Sequence, residues 1–236
     1  MRYLKIAWYV IYLIWMRCKG VKRAYLEKYK GEAAAWKYAQ EVYRKWSIFT
    51  INIVGMDLSI EGKENIPEET CVFIGNHQSI LDIPVLRIAT GRELDYVAKK
   101  ELAKAPFLGY WITHVKSVTL DRENVREGMK AINTAIKNIK EGYTFVVFPE
   151  GTRSKDGKIH EFKKGSMKLA TKTKVPVVPF SIDGTSACFE DTGKFIPGKI
   201  TVRFGNPIET SNLSKEEEKE LTDRVREKVC ELYEKK

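Results

Sequence analysis

The sequence predicts an α/β fold, a mixed sheet flanked by helices, with an N-terminal helical membrane hairpin. From about residue 57 onward, short apolar runs alternate with helical patterns, which indicates a sheet covered by helices. Residues 1–55 instead carry two helical patterns rich in aromatic and basic residues. The chain has 236 residues, 43% of them hydrophobic, which argues against disorder. We therefore expect a membrane anchor at 1–55 and one α/β domain at 56–236.

The N-terminal part begins with an apolar run at residues 6–16, followed by Arg17 and Lys19. The run is about half of the ~20 residues that a bilayer span requires. Basic residues stand where a signal peptide would have small ones. A second helical pattern covers 32–53, and residues 1–60 hold eleven Lys or Arg against four acids.

This combination is typical of a helical hairpin that lies in one leaflet of a membrane. Tryptophan and tyrosine favour the headgroup region of a bilayer. The expected anchors are Trp8, Tyr12, Trp15 and Trp36. The alternative is that both helices simply pack on the main domain.

The α/β part can be divided into elements by its periodicity. Strands are expected at 71–75, 95–98, 115–120, 143–148, 177–182 and 200–204, the last of them at an edge of the sheet. Helices are expected at 79–90, 125–140, 164–173 and from 214 onward, with a short one ending near Trp111. Ser79 is the expected N-cap of the first, and Asn212 or Ser214 that of the last.

The net charge of +10 favours an anionic partner: nucleic acid, an anionic membrane or a phosphorylated substrate. The four cysteines are widely spaced, and the three histidines lack the spacing of metal ligands. We therefore expect free thiols in a reducing compartment and no metal site.

His77 follows the first predicted strand, and Asp82 lies five residues later, near the start of a helix. The loop can fold so that one ring nitrogen faces the carboxylate. The other nitrogen is then left to take a proton from a hydroxyl. If the substrate carries the alcohol, no serine nucleophile is needed. Taken alone, the pair could equally be a loop histidine near a solvated acid.

A second strand end is TFVVFPEGTRS, at 144–154. Gly151 allows a tight turn, and Arg153 offers a forked donor suited to phosphate; Glu150 and Thr152 project from the same rim. The alternative is a surface turn with an ordinary salt bridge. Asp121-Arg122 ends a third strand and offers a second possible phosphate clamp. The apolar strand at 175–182 is either a wall for an acyl chain or part of the sheet core.

Together, NHQSILD (76–82), Asp121-Arg122, FPEGTRS (148–154) and VPVVPF (175–180) resemble the 1-acyl-glycerol-3-phosphate acyltransferases of the glycerolphosphate acyltransferase superfamily. The resemblance implies an α/β enzyme in phospholipid biosynthesis that acylates the sn-2 hydroxyl of lysophosphatidic acid to form phosphatidic acid. His77 would be the general base and Asp82 its orienting partner. The implied glycerol phosphate residues are Arg122, Glu150, Gly151, Thr152 and Arg153. The implied acyl-site residues are Val175, Pro176, Val178 and Pro179.

The expected acyl donor is an acyl carrier protein or coenzyme A thioester, with no metal or other cofactor. Other expected partners are lysophosphatidic acid and an anionic membrane surface, but not nucleic acid. A peripheral location on the cytoplasmic face of the cell membrane follows. One alternative is a related acyltransferase that acts on glycerol 3-phosphate or another lysophospholipid. Another is a basic peripheral module that binds anionic lipid without catalysis.

Overall fold

The computed structural model describes residues 2–121 and 124–235, with the side chains of residues 2 and 3 excepted. Seven strands of the described chain form one sheet in the order β1-β7-β6-β2-β5-β3-β4. These strands are β1 Met56–Glu61, β2 Val72–Gly75, β3 Asp95–Lys99, β4 Val118–Leu120, β5 Phe145–Val147, β6 Val177–Asp183 and β7 Gly198–Phe204. β6 and β7 run antiparallel, whereas the other neighbouring pairs are parallel. The α/β fold with a mixed sheet is thus confirmed.

The position expected for β7 at an edge is wrong, because β1 lies outside it and pairs with it in parallel. β1 itself was not among the strands expected from the sequence. Its outward residues Asp57, Ser59 and Glu61 are exposed and polar, so its apolar signal is weak. The partner strand β7 lies far away in the sequence, so the residues around β1 alone give little indication of a strand.

The helices are α1 Arg2–Cys18, α2 Gly20–Lys30, α3 Glu32–Val54, α4 Asp82–Thr90, α5 Leu108–Ile112, α6 Val125–Lys140, α7 Lys168–Thr173 and α8 Lys215–Glu234. α6 has the predicted bounds. α8 begins with a capping box in which the side chains of Ser214 and Glu217 each bond the backbone of the other residue. Of the two predicted N-caps, Asn212 and Ser214, the cap is therefore Ser214. A short turn of 3-10 helix, Lys164–Met167, precedes α7.

α4 begins at Asp82, so the expectation that Ser79 caps this helix is wrong. The Asp82 carboxylate binds the backbone N–H groups of Gln78 and Ser79 at 2.7 and 3.0 Å. These bonds hold residues 78 and 79 in a loop ahead of the helix. The Ser79 hydroxyl accepts instead from the N–H of Leu81 at 3.1 Å.

Both faces of the sheet are buried, which explains the nearly continuous apolar strands. One core lies beneath α3 and α4 and contains Phe73, Phe180 and Phe204. The other lies beneath α6, α7 and α8 and contains Val72 and Ile74. Successive residues of β2 therefore point into different cores, and its carboxyl end emerges between them.

The N-terminal part contains three helices, where two were expected, because breaks occur at Lys19 and Gly31. α3 packs along α4, and the inner face of α1 packs on α3 and α5. Packing on the main domain, the alternative interpretation, thus applies to α3 and to one face of α1. In the described residues, no helix has both the length and the apolar character needed to cross a bilayer.

Two of the four expected anchors face into the protein. The Tyr12 ring stacks on Phe49 at 3.8 Å between centroids, and the Trp36 ring meets Tyr143 edge-on at 4.8 Å. Both side chains lie on the packed faces of their helices, and contacts with other aromatic rings stabilise them there. Trp8 and Trp15 are 62% and 51% exposed. Only these two of the four stand outward.

Candidate active site

The two predicted motifs leave the sheet at the same edge, because β2 and β5 are parallel neighbours with Ile74 opposite Val147. Carboxyl ends of parallel strands are the usual site of ligand binding in α/β sheets. The backbone N–H of Ser154 donates to the carbonyl of His77 at 2.8 Å and joins the two loops directly. The side-chain amide of Asn76 donates to the carbonyl of Ile182 at 2.8 Å and accepts from the N–H of Ile182 at 2.9 Å. These bonds attach the first loop to β6.

Within the first loop, His77 Nδ1 lies 2.6 Å from Asp82 Oδ2. Asp82 is completely buried, and Oδ2 also accepts the N–H groups of Gln78 and Ser79. The Thr185 hydroxyl donates to the other oxygen, Oδ1, at 2.5 Å. Four donors therefore surround the carboxylate, which also lies at the N-terminus of α4, where a negative charge is favoured.

The His77 ring stacks on Phe148 with 3.9 Å between centroids and an angle of 15°. Its side chain is 18% exposed. With Nδ1 engaged by Asp82, Nε2 is the remaining nitrogen, and it bonds no residue of the described chain. An imidazole that carries its proton on Nδ1 presents Nε2 as an acceptor.

Gln78 connects the loop to the last helix. Its side-chain nitrogen donates to the hydroxyl of Tyr233, in α8, at 2.9 Å. The Tyr233 hydroxyl in turn lies 3.2 Å from Asp183, at the end of β6. The residue that follows the histidine is thus fixed by both β6 and α8.

Glu150 is buried between the two loops. Its Oε1 accepts the N–H of His77 at 3.1 Å, and its Oε2 accepts the N–H of His160 at 3.0 Å. Burial raises the pKa of this carboxyl. Both oxygens are occupied by backbone donors, so this geometry suits a residue that organises the site.

The turn beyond Glu150 is tight. Gly151 has a φ of +74°, and a Cβ there would lie 2.9 Å from Lys163 Nζ, so a larger residue would be strained. Thr152 and Arg153 follow on the exposed rim. The guanidinium of Arg153 is 2.7 Å from Glu190 Oε1.

Glu190 is a site residue that was not predicted from the sequence. The oxygen that pairs with Arg153 also accepts the N–H of Ile80 at 2.9 Å and the hydroxyl of Ser79 at 3.3 Å. It thereby joins the arginine to the histidine loop. Thr185, also not predicted, comes from the same segment after β6. These residues are separated from the loop by more than 100 positions, at 103 and 111, and no local motif marks them.

Arg122 lies outside the described residues; its neighbour Asp121 forms an ion pair with Lys100 at 2.8 Å. The four predicted acyl-site residues lie in β6 and the segment leading into it. Val178 is wholly buried in the sheet core, and Pro176 accepts the N–H of Val72. They do not line either of the two openings described next, so their role in the acyl site stays a prediction.

An apolar cavity of about 160 Å³ lies between the N-terminal helices, α5 and β3. Its walls include Val42, Ile80, Ile83, Leu108 and Trp111. Ile80 lies three residues beyond His77. We call this space the apolar cavity.

A larger groove of about 680 Å³ runs between α6 and the 163–172 segment. Its floor includes Phe148, the ring that stacks on His77, and Ala98, which also lines the apolar cavity. We call it the lysine groove because four lysines line it: Lys140, Lys163, Lys168 and Lys172. In the described chain, no group of His, Cys, Asp and Glu is arranged to hold a metal ion, and the four cysteines are free.

Comparison with known proteins places this site in a family. The acyltransferase family model matches residues 57–183. The chain is 33% identical to the 1-acyl-sn-glycerol-3-phosphate acyltransferase of Saccharomyces cerevisiae, over 85% of this chain and 66% of that protein. It is 30% identical to the probable enzyme of the same name from Mycoplasma pneumoniae, over 82% of this chain and 77% of that one.

The crystal structure of the 1-acyl-sn-glycerophosphate (LPA) acyltransferase PlsC from Thermotoga maritima superposes with a TM-score of 0.77. The sequences are 31% identical, and the match covers 100% of this chain and 99% of that one. The match spans 66%, 49% and 44% of the length of three curated relatives. On the strength of the family model, the relatives and this fold, the chain belongs to the acyltransferase family, alongside the 1-acyl-sn-glycerol-3-phosphate acyltransferases.

Proposed function

We propose that the protein transfers a fatty acyl group from a thioester to the sn-2 hydroxyl of 1-acyl-glycerol 3-phosphate and forms phosphatidic acid. The observation that carries this proposal is the 2.6 Å contact between His77 and buried Asp82, at the same edge of the sheet as Arg153. The relatives in the family are named for this reaction. The alternative of a lipid-binding module without catalysis gives no use for such a pair.

The pair supports direct attack by the acceptor alcohol. Nε2 of His77 removes the proton as the hydroxyl oxygen attacks the thioester carbonyl, and Asp82 stabilises the imidazolium that forms. The tetrahedral intermediate then collapses with cleavage of the carbon–sulfur bond. The departing thiolate takes the proton back from the imidazolium, so the products are an ester and a thiol. Phe148 and Asp82, which three other donors hold in place, keep the ring in one orientation throughout.

Arg153 is suited to the phosphate of the acceptor. Its side chain is 47% exposed and is joined to the loop of His77 through Glu190, so an anion bound there would lie near the base. The forked donor fits phosphate oxygens, and Thr152 adds a hydroxyl at the rim. Glu190 would then lose part of its contact with Arg153 and keep its bonds to Ser79 and Ile80.

The apolar cavity offers a place for the acyl chain. Its lining is almost entirely hydrocarbon, and it begins at Ile80, close to the base. Burying a methylene group there contributes about 0.8 kcal/mol, so a chain that fills the cavity gains several kcal/mol.

We further propose that the outer faces of α1 and α2 rest on an anionic membrane. Leu4, Trp8, Ile11 and Trp15 form an exposed apolar row on α1. Basic residues such as Lys19 and Lys22 lie among such residues, which favours anionic lipid. α3 supports α1 from behind, so the contact would be interfacial and one-sided. This placement would bring the acceptor lipid to the site.

Activity can be tested with purified protein, lysophosphatidate or glycerol 3-phosphate as acceptor, and coenzyme A or carrier protein thioesters as donors. We expect phosphatidate from lysophosphatidate, and no transfer with His77→Gln at unchanged secondary structure. Transfer that persists in His77→Gln would contradict the role of the base. Transfer to glycerol 3-phosphate alone would move the enzyme to the alternative acceptor.

Membrane contact can be tested by flotation with vesicles of neutral or anionic phospholipid. Trp8→Gln/Trp15→Gln should lower binding to anionic vesicles at least ten-fold, because each ring loses its burial in the interface. Trp36→Phe, a change on the packed face of α3, serves as the matched control. Equal binding by the double variant and wild type would show that the row on α1 does not bind lipid.

A further inference from the structure

We propose that Glu190 is an internal competitor for Arg153: its carboxylate pairs with the arginine in the free protein, and the phosphate of the acceptor or product must displace it. The inference rests on the proposed acyl transfer and adds a residue that sets how tightly the site holds phosphate. Lysophosphatidate and phosphatidate carry the same phosphate, so a site that bound it too tightly would retain the product. Glu190 thus favours the release of phosphatidate.

The carboxylate of Glu190 makes the contact that a phosphate would make. Its Oε1 accepts from Nη1 of Arg153 at 2.7 Å, a distance typical of a charged hydrogen bond. The guanidinium of Arg153 bonds no other residue among 2–121 and 124–235. Within that part of the chain, Glu190 is therefore the ion-pair partner that an incoming anion replaces.

The pair is accessible to a ligand. The side chains of Arg153 and Glu190 are 47% and 24% exposed, and an ion pair that water reaches contributes little to stability. A single oxygen of Glu190 meets a single nitrogen of the guanidinium. This is not the two-fold contact in which arginine and carboxylate hold each other most firmly. A phosphate can therefore break the pair at small cost.

Glu190 does not turn away into solvent when the arginine leaves it. The oxygen that meets Arg153 also accepts the N–H of Ile80 at 2.9 Å and the hydroxyl of Ser79 at 3.3 Å. Both donors belong to the loop of His77 and stay in place when a phosphate binds. The carboxylate therefore remains beside the bound phosphate and repels it.

The turn that carries Glu190 follows β6 and is anchored in the protein. Cys188, two residues earlier, is buried, and its carbonyl accepts the N–H of Ile196 at 3.0 Å. Thr185, at the start of the same turn, donates to the buried carboxylate of Asp82. The position of the Glu190 carboxylate is therefore set by the fold and does not depend on its contact with the arginine.

Competition of this kind weakens the binding of acceptor and product alike. Uniform weakening raises KM without changing the chemical step. It also shortens the time for which the product stays bound, and this raises kcat wherever product release limits turnover. A clamp without the competitor would bind lysophosphatidate more tightly and release phosphatidate more slowly.

The test uses the substitution Glu190→Gln in the full chain. The amide keeps an oxygen for the N–H of Ile80 and the hydroxyl of Ser79, so the loop should retain its shape, while the charge opposite Arg153 is lost. We expect KM for lysophosphatidate and the inhibition constant of phosphatidate to fall together, each roughly three- to ten-fold. Glu190→Asp keeps the charge and should give constants between those of Glu190→Gln and wild type.

Glu61→Gln is the matched control, because it removes the same charge from another ion pair, with Arg203 at 2.9 Å. Glu61 lies in β1, three strand spacings or roughly 14 Å from β2, which exceeds the screening length of about 10 Å. Both constants should stay within about two-fold of wild type in this variant. Equal shifts in Glu61→Gln and Glu190→Gln would assign the effect to net charge and overturn the proposal.

Binding of inorganic phosphate, measured by calorimetry, supplies a readout that does not depend on catalysis. Tighter binding by Glu190→Gln alone supports the competition even if the wild type transfers no acyl group, a result that would count against the proposed function by itself. Weaker binding or a higher KM in Glu190→Gln would show that Glu190 positions the arginine instead. That outcome, unchanged constants, or constants of Glu190→Asp as low as those of Glu190→Gln would each overturn the inference.

Discussion

The carboxylate of Asp82 provides the sharpest test of the proposed chemistry, through the substitution Asp82→Asn. The amide oxygen of asparagine can still accept from His77 Nδ1, Gln78 and Ser79, while its nitrogen turns to the Thr185 hydroxyl. The fold should therefore survive, at a cost of about 1 to 2 kcal/mol for weaker hydrogen bonds. Asp82→Ala would be less informative, because two buried N–H groups would lose their partner at about 1–3 kcal/mol each.

Catalysis should suffer far more than folding. Without the negative charge the imidazolium is not stabilised, and in serine proteases the comparable change lowers kcat by up to about 10⁴. We expect kcat to fall about 10² to 10⁴-fold, or about 3 to 5 kcal/mol of transition-state stabilisation. KM should change little, because Asp82 is completely buried and cannot touch the substrate.

The assay measures thiol release at saturating lysophosphatidate, together with urea unfolding of each variant. Asp57→Asn is the matched control: this carboxylate is exposed on β1, outside the loop that holds His77. Its kcat should stay within a few-fold of wild type. A kcat of Asp82→Asn within three-fold of wild type, or a loss explained by unfolding, would refute the reasoning.

Three further predictions concern the acceptor, the fold and the acyl chain. Arg153→Ala should raise KM for lysophosphatidate about ten-fold or more, since a charged hydrogen bond contributes roughly 1.5–3 kcal/mol; an unchanged KM would argue against the phosphate contact. Burial raises the pKa of Asp95 to about 7 from its usual 3.8. Because its pKa is higher in the folded state, this carboxyl contributes its full stability below the unfolded pKa and loses that contribution as pH rises toward 7. The free energy of unfolding of Asp95→Asn should therefore gain on that of wild type by about 4 kcal/mol between acid and neutral pH. A pH-independent difference in urea unfolding would contradict this. Ala105→Phe, in the wall of the apolar cavity, should lower kcat/KM several-fold for long-chain donors and leave short-chain donors unaffected; equal losses for both would disprove a role for the cavity.

Much of the active-site geometry could be predicted because it is local. Asp82 lies five positions after His77, and a strand, a loop and a helix N-terminus in that order bring their side chains together. Both motifs were also expected at the ends of strands, where ligands usually bind in α/β sheets. By contrast, the cap expected at Ser79 was wrong, because the Asp82 carboxylate competes for the backbone that a capped helix would have used.

The parts that could not be predicted depend on contacts between distant segments. Glu190 and Thr185 become site residues only because β6 lies beside β2. β1 becomes a strand only when β7 is beside it. Trp36 looks like an interfacial anchor in the sequence, and its contact with Tyr143 appears only once α3 docks. Periodicity reports which residues are apolar but not which surface covers them.

The bond between Gln78 and Tyr233 spans 155 positions of the chain. Closing a loop of that size carries a large entropic cost, which only the completed sheet and its neighbouring helices can offset. The catalytic loop should therefore take its working shape late in folding, after α8 docks. Mild denaturant that detaches this helix would abolish activity while most of the sheet was still folded. Activity would then require the docked α8 in addition to the His77–Asp82 motif.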